Sequence, residues 1–183
     1  MLSDLNRPES LESFTQIMSP LNDEEVLELF DSSMQFEVDD VGATPLVAAI
    51  RLGRYSVVEK MLDRGFSPSV RTLSSSAIGA AIDSTSSEGV RILGLLLQRI
   101  GMLEEEDPFN FCGELNEPML HAAIRRRNEG AVQLLLKHGA NPEWMGTDCV
   151  SAFELARELG FQTEGLATRE KGEGGHRGAD SQP

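Results

Sequence analysis

A chain of 183 residues with 30 acids, 16 Lys and Arg, three His and two Cys carries a formal charge of −14, and that length suits one domain with a sizeable core. The charge excludes a protein whose main task is gripping nucleic-acid phosphates or an anionic membrane surface, because both need a net cationic face. Cys112 and Cys149 are too few for a disulfide scaffold or a thiolate zinc site.

The most apolar run, Ile92 to Leu97, is far short of the roughly 20 residues of a membrane-spanning helix. No basic-then-apolar leader follows Met1, so the expectation is a soluble cytoplasmic protein, with nuclear entry left open.

From the start of the chain, residues 1–40 hold 11 acids against a single base, Arg7. Within that acidic lead-in, Leu11 to Met18 and Glu25 to Phe30 form two short amphipathic stretches split by Ser19 and Pro20. Asn22 or Asp23 is placed to cap the second, and the acids just after it suit the positive end of a helix. Residues 1–38 therefore read as a divergent N-terminal helical cap.

Self-similarity then takes over. The block Thr44 to Gly53 (TPLVAAIRLG) aligns with Pro118 to Arg127 (PMLHAAIRRR), and the match continues through Val57-Val58, Met61-Leu62 and Gly65 onto Ala131-Val132, Leu135-Leu136 and Gly139. A weaker copy opens at Ser76 with Ala77 to Ile82, and about three extra residues are expected near Ser84 to Glu88 before Ile92-Leu93 and Leu96-Leu97. A half copy runs from Ser151 to Gly160. The copies start 32, 42 and 33 residues apart.

Each unit reads as two short helices, with apolar residues recurring at helical spacing and small Ala residues allowing close approach. Thr44 and Pro45 mark a helix start, and Gly65 and Gly139 stand where a left-handed residue ends a helix. A helix pair this small cannot bury both faces alone, so the copies must stack.

These residues resemble the ankyrin repeat, whose period is about 33 and whose first helix opens Thr-Pro-Leu-His-x-Ala. A tetratricopeptide-type repeat would need Trp, Tyr and Phe at fixed helix positions, and they are missing. The resemblance implies an all-α helical repeat solenoid with short hairpin loops, its repeats falling at about 39–71, 72–113, 114–146 and an incomplete 147–167. Residues 168–183, Gly-rich and polar, are expected to form a disordered tail. In the family the opening Thr and His support each other. Here Thr44 is followed by Val47, and His121 is preceded by Pro118, so neither copy keeps the pair. The gap from Leu97 to Pro118 implies an enlarged hairpin loop carrying Phe109 and Phe111.

The sequence holds no glycine-rich phosphate loop, paired-histidine metal helix or nucleophile elbow. His121 and His138 read as structural, Cys112 and Cys149 as inert thiols, and Glu104 to Asp107 as a solvated run. No enzyme, no cofactor and no metal are expected. The resemblance instead implies protein binding through hairpin tips and the concave face of the first helices. It places the contact residues at Arg51, Leu73, Leu115, Arg125, Arg126, Trp144, Met145, Asp148 and Arg157.

Arg51, Arg125, Arg126 and Arg157 would form a cationic ladder for an acidic partner segment, unless they are only helix-end cations favoured by the dipole. Trp144 and Met145 are either interface anchors or fillers of the gap between neighbouring hairpins. The expected partner is a protein rather than nucleic acid or membrane, and the chain is expected to be a monomer. The opposing reading is a structural or autoinhibited segment of a larger assembly, with the acidic N-terminus occupying its own groove.

Overall fold

Short polar side chains decide where the helices begin, because the first turn of a helix leaves backbone N–H groups without partners. The computed structural model describes residues 13–31, 37–39, 42–69, 76–101, 117–146 and 148–161. Within them Asn22 Oδ1 accepts from Glu24 and Glu25 N–H at 3.0 Å, and Glu25 returns a bond to the Asn22 N–H. Thr44 caps by accepting from Val47, Ser76 from Gly79, Ser86 from Gly89 and Ser151 from Glu154.

The helices are α1 (Phe14–Met18), α2 (Asp23–Leu29), α3 (Pro45–Arg51), α4 (Tyr55–Asp63), α5 (Ala77–Asp83), α6 (Ser87–Ile100), α7 (Met119–Arg125), α8 (Glu129–Lys137) and α9 (Ala152–Glu158). The described residues form no strand. One isolated antiparallel bridge, Met145 to Ser151, closes the hairpin before α9.

The helices stack in two layers. The inner layer runs α1, α3, α5, α7, α9 and the outer layer α2, α4, α6, α8, each helix packing on the next of its layer, so this is an all-α repeat stack of ankyrin-like form. Ala48 and Ala49, Ala80 and Ala81, and Ala122 and Ala123 are buried at matching places of α3, α5 and α7. Side chains this small let neighbouring axes approach to the lower end of the usual 8–10 Å range.

The outer layer is tied from its flanks as well. Arg91 stacks over the Tyr55 ring at 4.4 Å, and Arg99 pairs with Asp63. At the N-terminal end Phe14 meets Phe30 edge to face at 5.5 Å, Asp39 accepts from the Phe14 and Ala43 N–H groups, and Arg54 and Arg64 donate to the Ser19 and Leu27 carbonyls. The acidic lead-in thus contributes one helix to each layer, covering the open end of the first repeat.

The extra residues of the second copy lie in the expected stretch near Ser84 to Glu88, and they are helical rather than a longer turn. The turn itself is three residues long, Ser84 to Ser86, like Leu52 to Arg54 and Arg126 to Asn128, and the added length goes into α6, which has 14 residues against nine in α4 and α8. Gly89 permits this start, since a Cβ there would come within 2.5 Å of Ser84.

The inner-to-outer turn repeats its geometry. Arg54 N–H bonds to Ala49 O, Asn128 N–H to Ala123 O and Phe161 N–H to Ala156 O, at 3.1, 3.0 and 2.8 Å. The residue before each has positive φ: Gly53 (67°), Arg127 (54°) and Gly160 (60°). Arg127 holds this left-handed conformation without the freedom of glycine.

Asn128 is buried and triply used. Its Nδ2 donates to Ile82 O and Ser84 O at 2.9 and 3.2 Å, while its Oδ1 accepts from Ala131 N–H at 3.1 Å. It therefore fastens the end of α5 to the start of α8. Replacing Asn128 with Ala leaves two carbonyls and one N–H unpaired, and urea unfolding is expected to show a loss of about 2–3 kcal/mol. Asn128→Asp should lose nearly as much, because a carboxylate cannot donate to those carbonyls.

Candidate partner-binding surface

The candidate arginines are sorted by helix register. Counting from the cap residue, α3, α5, α7 and α9 are each seven residues long, and their last residues are Arg51, Asp83, Arg125 and Glu158. The row along the groove alternates in sign instead of forming a cationic ladder. Arg157 falls one place earlier, in register with Ile50, Ile82 and Ile124, so it does not stand in line with Arg51 and Arg125 as the sequence suggested.

The central arginines are engaged. Arg126 Nε donates to Asp83 at 2.5 Å; Arg125 Nε donates to Glu117 at 2.5 Å and its Nη2 to Asp148 at 2.7 Å; Arg127 Nη2 donates to Leu159 O at 3.0 Å. Three consecutive arginines on one turn thus reach back to the second unit and forward to the fourth. Arg51 and Arg157 are exposed and make no ion pair among the described residues.

Partial burial works against the charged Arg125, but Glu117 and Asp148 outweigh it and hold the guanidinium protonated beyond its usual range. Asp148 feels the same opposition from burial. Backbone N–H bonds from Val150 and from Asp148 itself, together with Arg125, overcome it and lower its carboxyl below the ordinary value.

Beside this network stands the fourth hairpin. Met145 and Trp144 are the most exposed large apolar side chains in the described repeats, at 62% and 42%. Their backbone is held from several directions: the Met145–Ser151 bridge, Gly146 N–H on Val150 O at 2.9 Å, Arg125 on Asp148, and His121 Nε2–H donating to Val150 O at 2.8 Å. Gly146 lies so close to the His121 ring that a Cβ would meet it at 2.9 Å.

His121 is buried, and its Nδ1 has no partner among the described residues. Pro118 has no side-chain hydrogen-bonding group to offer it, in keeping with the lost Thr–His pair expected from the sequence. Cys149 is exposed at the tip with φ of 59°, at the place Gly42 (φ 78°) occupies in the first hairpin. Leu73 and Leu115 lie outside the described residues, as do Phe109, Phe111, Cys112, Glu104 to Asp107 and the 168–183 tail.

The described residues hold no group of three metal-capable side chains and no helix long and apolar enough to cross a membrane. The pairing of Asp83 with Arg126 and of Glu117 with Arg125 was not read from the sequence. The paired residues are 43 and eight residues apart, a separation that becomes legible only once repeat register is assigned.

Comparison with known proteins bears on the same region. The family model described as "Ankyrin repeat" matches residues 118–145, which span α7, α8 and the start of the fourth hairpin. A probable E3 ubiquitin-protein ligase XBOS34 from Oryza sativa subsp. japonica is 35% identical over 71 residues, 39% of this chain and 13% of that protein. Transient receptor potential cation channel subfamily A member 1 from Homo sapiens is 31% identical over 116 residues, 61% of this chain and 10% of that one. A putative E3 ubiquitin-protein ligase XBAT35 from Arabidopsis thaliana is 50% identical over 42 residues, covering 23% of this chain and 9% of its own length. The chain spans about a tenth of the length of these curated relatives.

Two predictions follow from the hairpin. Because the folded Asp148 carboxyl titrates below its unfolded value near 4, its contribution is complete above that value and is lost as pH falls through the lowered folded one. The melting-temperature gap between the native chain and Asp148→Asn should therefore be constant near neutrality, close below about pH 4, and narrow in molar salt because the pair is exposed. Cys149→Gly should stabilise the chain by about 1 kcal/mol, read from its denaturant midpoint, by removing a side chain from left-handed backbone.

Proposed function

This chain belongs to the ankyrin-repeat family, and we propose that it is a non-catalytic binding module that grips a partner protein through its fourth hairpin, with Trp144 and Met145 as anchors. Ankyrin repeats in general mediate protein–protein interaction and carry no catalysis of their own. The observation that supports the placement is the pairing of exposure with rigidity: two large apolar side chains stand in solvent on a backbone already fixed by Arg125, His121 and the Met145–Ser151 bridge. Ordering entropy is met in the free protein, which is how a small set of aromatic and thioether contacts comes to dominate an interface.

Among the described residues Arg51 is the groove cation left to a ligand, since Arg125 and Arg126 are neutralised within the stack. A partner that relied on a cationic ladder would have to displace Asp83, Glu117 and Asp148. An apolar partner segment with a single acidic group toward α3 meets the surface as it stands. The proposed repeat limits remain about 39–71, 72–113, 114–146 and 147–167.

Affinity capture from cell extract with the intact chain and with Trp144→Ala/Met145→Ala tests the placement, circular dichroism confirming that both fold. The double variant is expected to lose partners captured by the intact chain, at least tenfold by quantitative mass spectrometry, in keeping with truncation of an interface anchor. Equal capture by both chains would move the binding site away from this hairpin. Arg125→Ala, which frees the hairpin without touching its apolar residues, should weaken capture less than the double variant does.

A further inference from the structure

The last inner helix among the described residues, α9, presents a face unlike that of its predecessors. Leu46, Ile78 and Leu120 stand at the second position of α3, α5 and α7 and are 1%, 4% and 3% exposed, because the following repeat covers them; Phe153 stands at that position of α9 and is 39% exposed. At the third position Val47 and His121 are buried whereas Glu154 is exposed, and at the sixth Ile50, Ile82 and Ile124 are buried whereas Arg157 is exposed. On the outer layer Leu136 is half-buried where Leu62 and Leu97 are buried.

Another repeat laid on this edge in the manner of the preceding ones would bury Arg157 where each earlier helix has Ile, together with Glu154 three residues before it, and taking both charges out of water is costly. The edge instead suits a surface that offers an acid to Arg157, a base to Glu154 and an apolar patch to Phe153. In charge the outward face of α9 is itself such a surface, with Phe153 beside the pair. When two copies of α9 run antiparallel about a two-fold axis passing between Leu155 and Ala156, Glu154 of each lies opposite Arg157 of the other, and both charge pairs form at once, as an isologous contact requires.

We propose that the exposed edge of α9 joins two copies of this chain tail to tail through Phe153, Glu154 and Arg157, in place of the monomer expected from the sequence. The contact uses neither Trp144 nor Met145, so the partner-binding hairpin stays open on both copies and a dimer presents it twice. Glu154 is held ionised in readiness: hydrogen bonds from the Ser151 N–H and hydroxyl, with Arg157 nearby, keep its carboxyl below the ordinary range.

Sedimentation velocity on the full chain from about 1 to about 300 µM, the range in which small interfaces assemble, tests this. The average mass should rise from one chain toward two. Arg157→Glu faces like charges at both ends of the axis and should weaken association at least tenfold. Glu154→Arg should weaken it likewise, and an equal mixture of the two variants should recover the association, because each then meets its opposite. Phe153→Ser should weaken association without altering any charge, which keeps the test open if Glu154→Arg, which loses its cap bonds, fails to fold by circular dichroism. A mass of one chain throughout the range overturns the proposal. So does a dimer indifferent to both Phe153→Ser and Arg157→Glu, since it would be held by another surface.

Discussion

Close contact between inner helices is the constraint on which the rest of this structure depends. Ala48-Ala49, Ala80-Ala81 and Ala122-Ala123 keep α3, α5 and α7 near enough for the turns of adjacent units to touch. That contact lets Asn128 reach the Ile82 and Ser84 carbonyls and lets Arg125, Arg126 and Arg127 reach Asp148, Asp83 and the Leu159 carbonyl. A larger residue at any of the alanines would open the layer and break these bonds together, which is the nearest-neighbour coupling expected of a linear repeat stack. The strain of Arg127 in left-handed backbone fits the same logic: the position needs a turn, and the side chain that occupies it returns a bond to the neighbouring unit.

Much of the architecture is legible in the residues because its causes are local. Asn22, Thr44 and Ser151 announce helix starts, Gly65 and Gly139 announce helix ends, and the Ala-Ala-Ile pattern marks the inner helix of the first three units. What is not legible has distant causes. The length of α6 depends on whether Gly89 can pass close to Ser84, a question of packing rather than of helix propensity. The engagement of Arg125 and Arg126 depends on carboxylates brought into place by stacking. Arg157 is the instructive case: adjacency to Glu158 made it look like one of the row with Arg51 and Arg125, yet a shift of one residue on a helix turns a side chain by about 100° and carries it from the groove to the edge.

The same shift changes what the surface can recognise. A continuous row of arginines would select acidic ligands through charge alone, at any spacing. An alternating row of Arg51, Asp83, Arg125 and Glu158 has little net field, so in the proposed binding role selectivity passes to the places where the stack leaves something unsatisfied. Those places are apolar, at Trp144 and Met145 on the hairpin and at Phe153 on the edge. Overall charge is consistent with that division: much of the −14 resides in the first 40 residues, while the groove row is balanced.

Charge balance also explains why the fourth hairpin is held more firmly than its position near the end of the described stack suggests. Terminal units of a repeat array have one neighbour and open readily. Here Arg125 ties the hairpin to α7, His121 holds the Val150 carbonyl, and Arg127 holds the last carbonyl turn of α9, so the terminal unit is fastened by three polar contacts from the unit before it. The arginine run that looks at first like a ligand-binding feature therefore does its work inside the protein, and the stiffness it confers underlies the proposed use of two exposed apolar side chains as a binding surface.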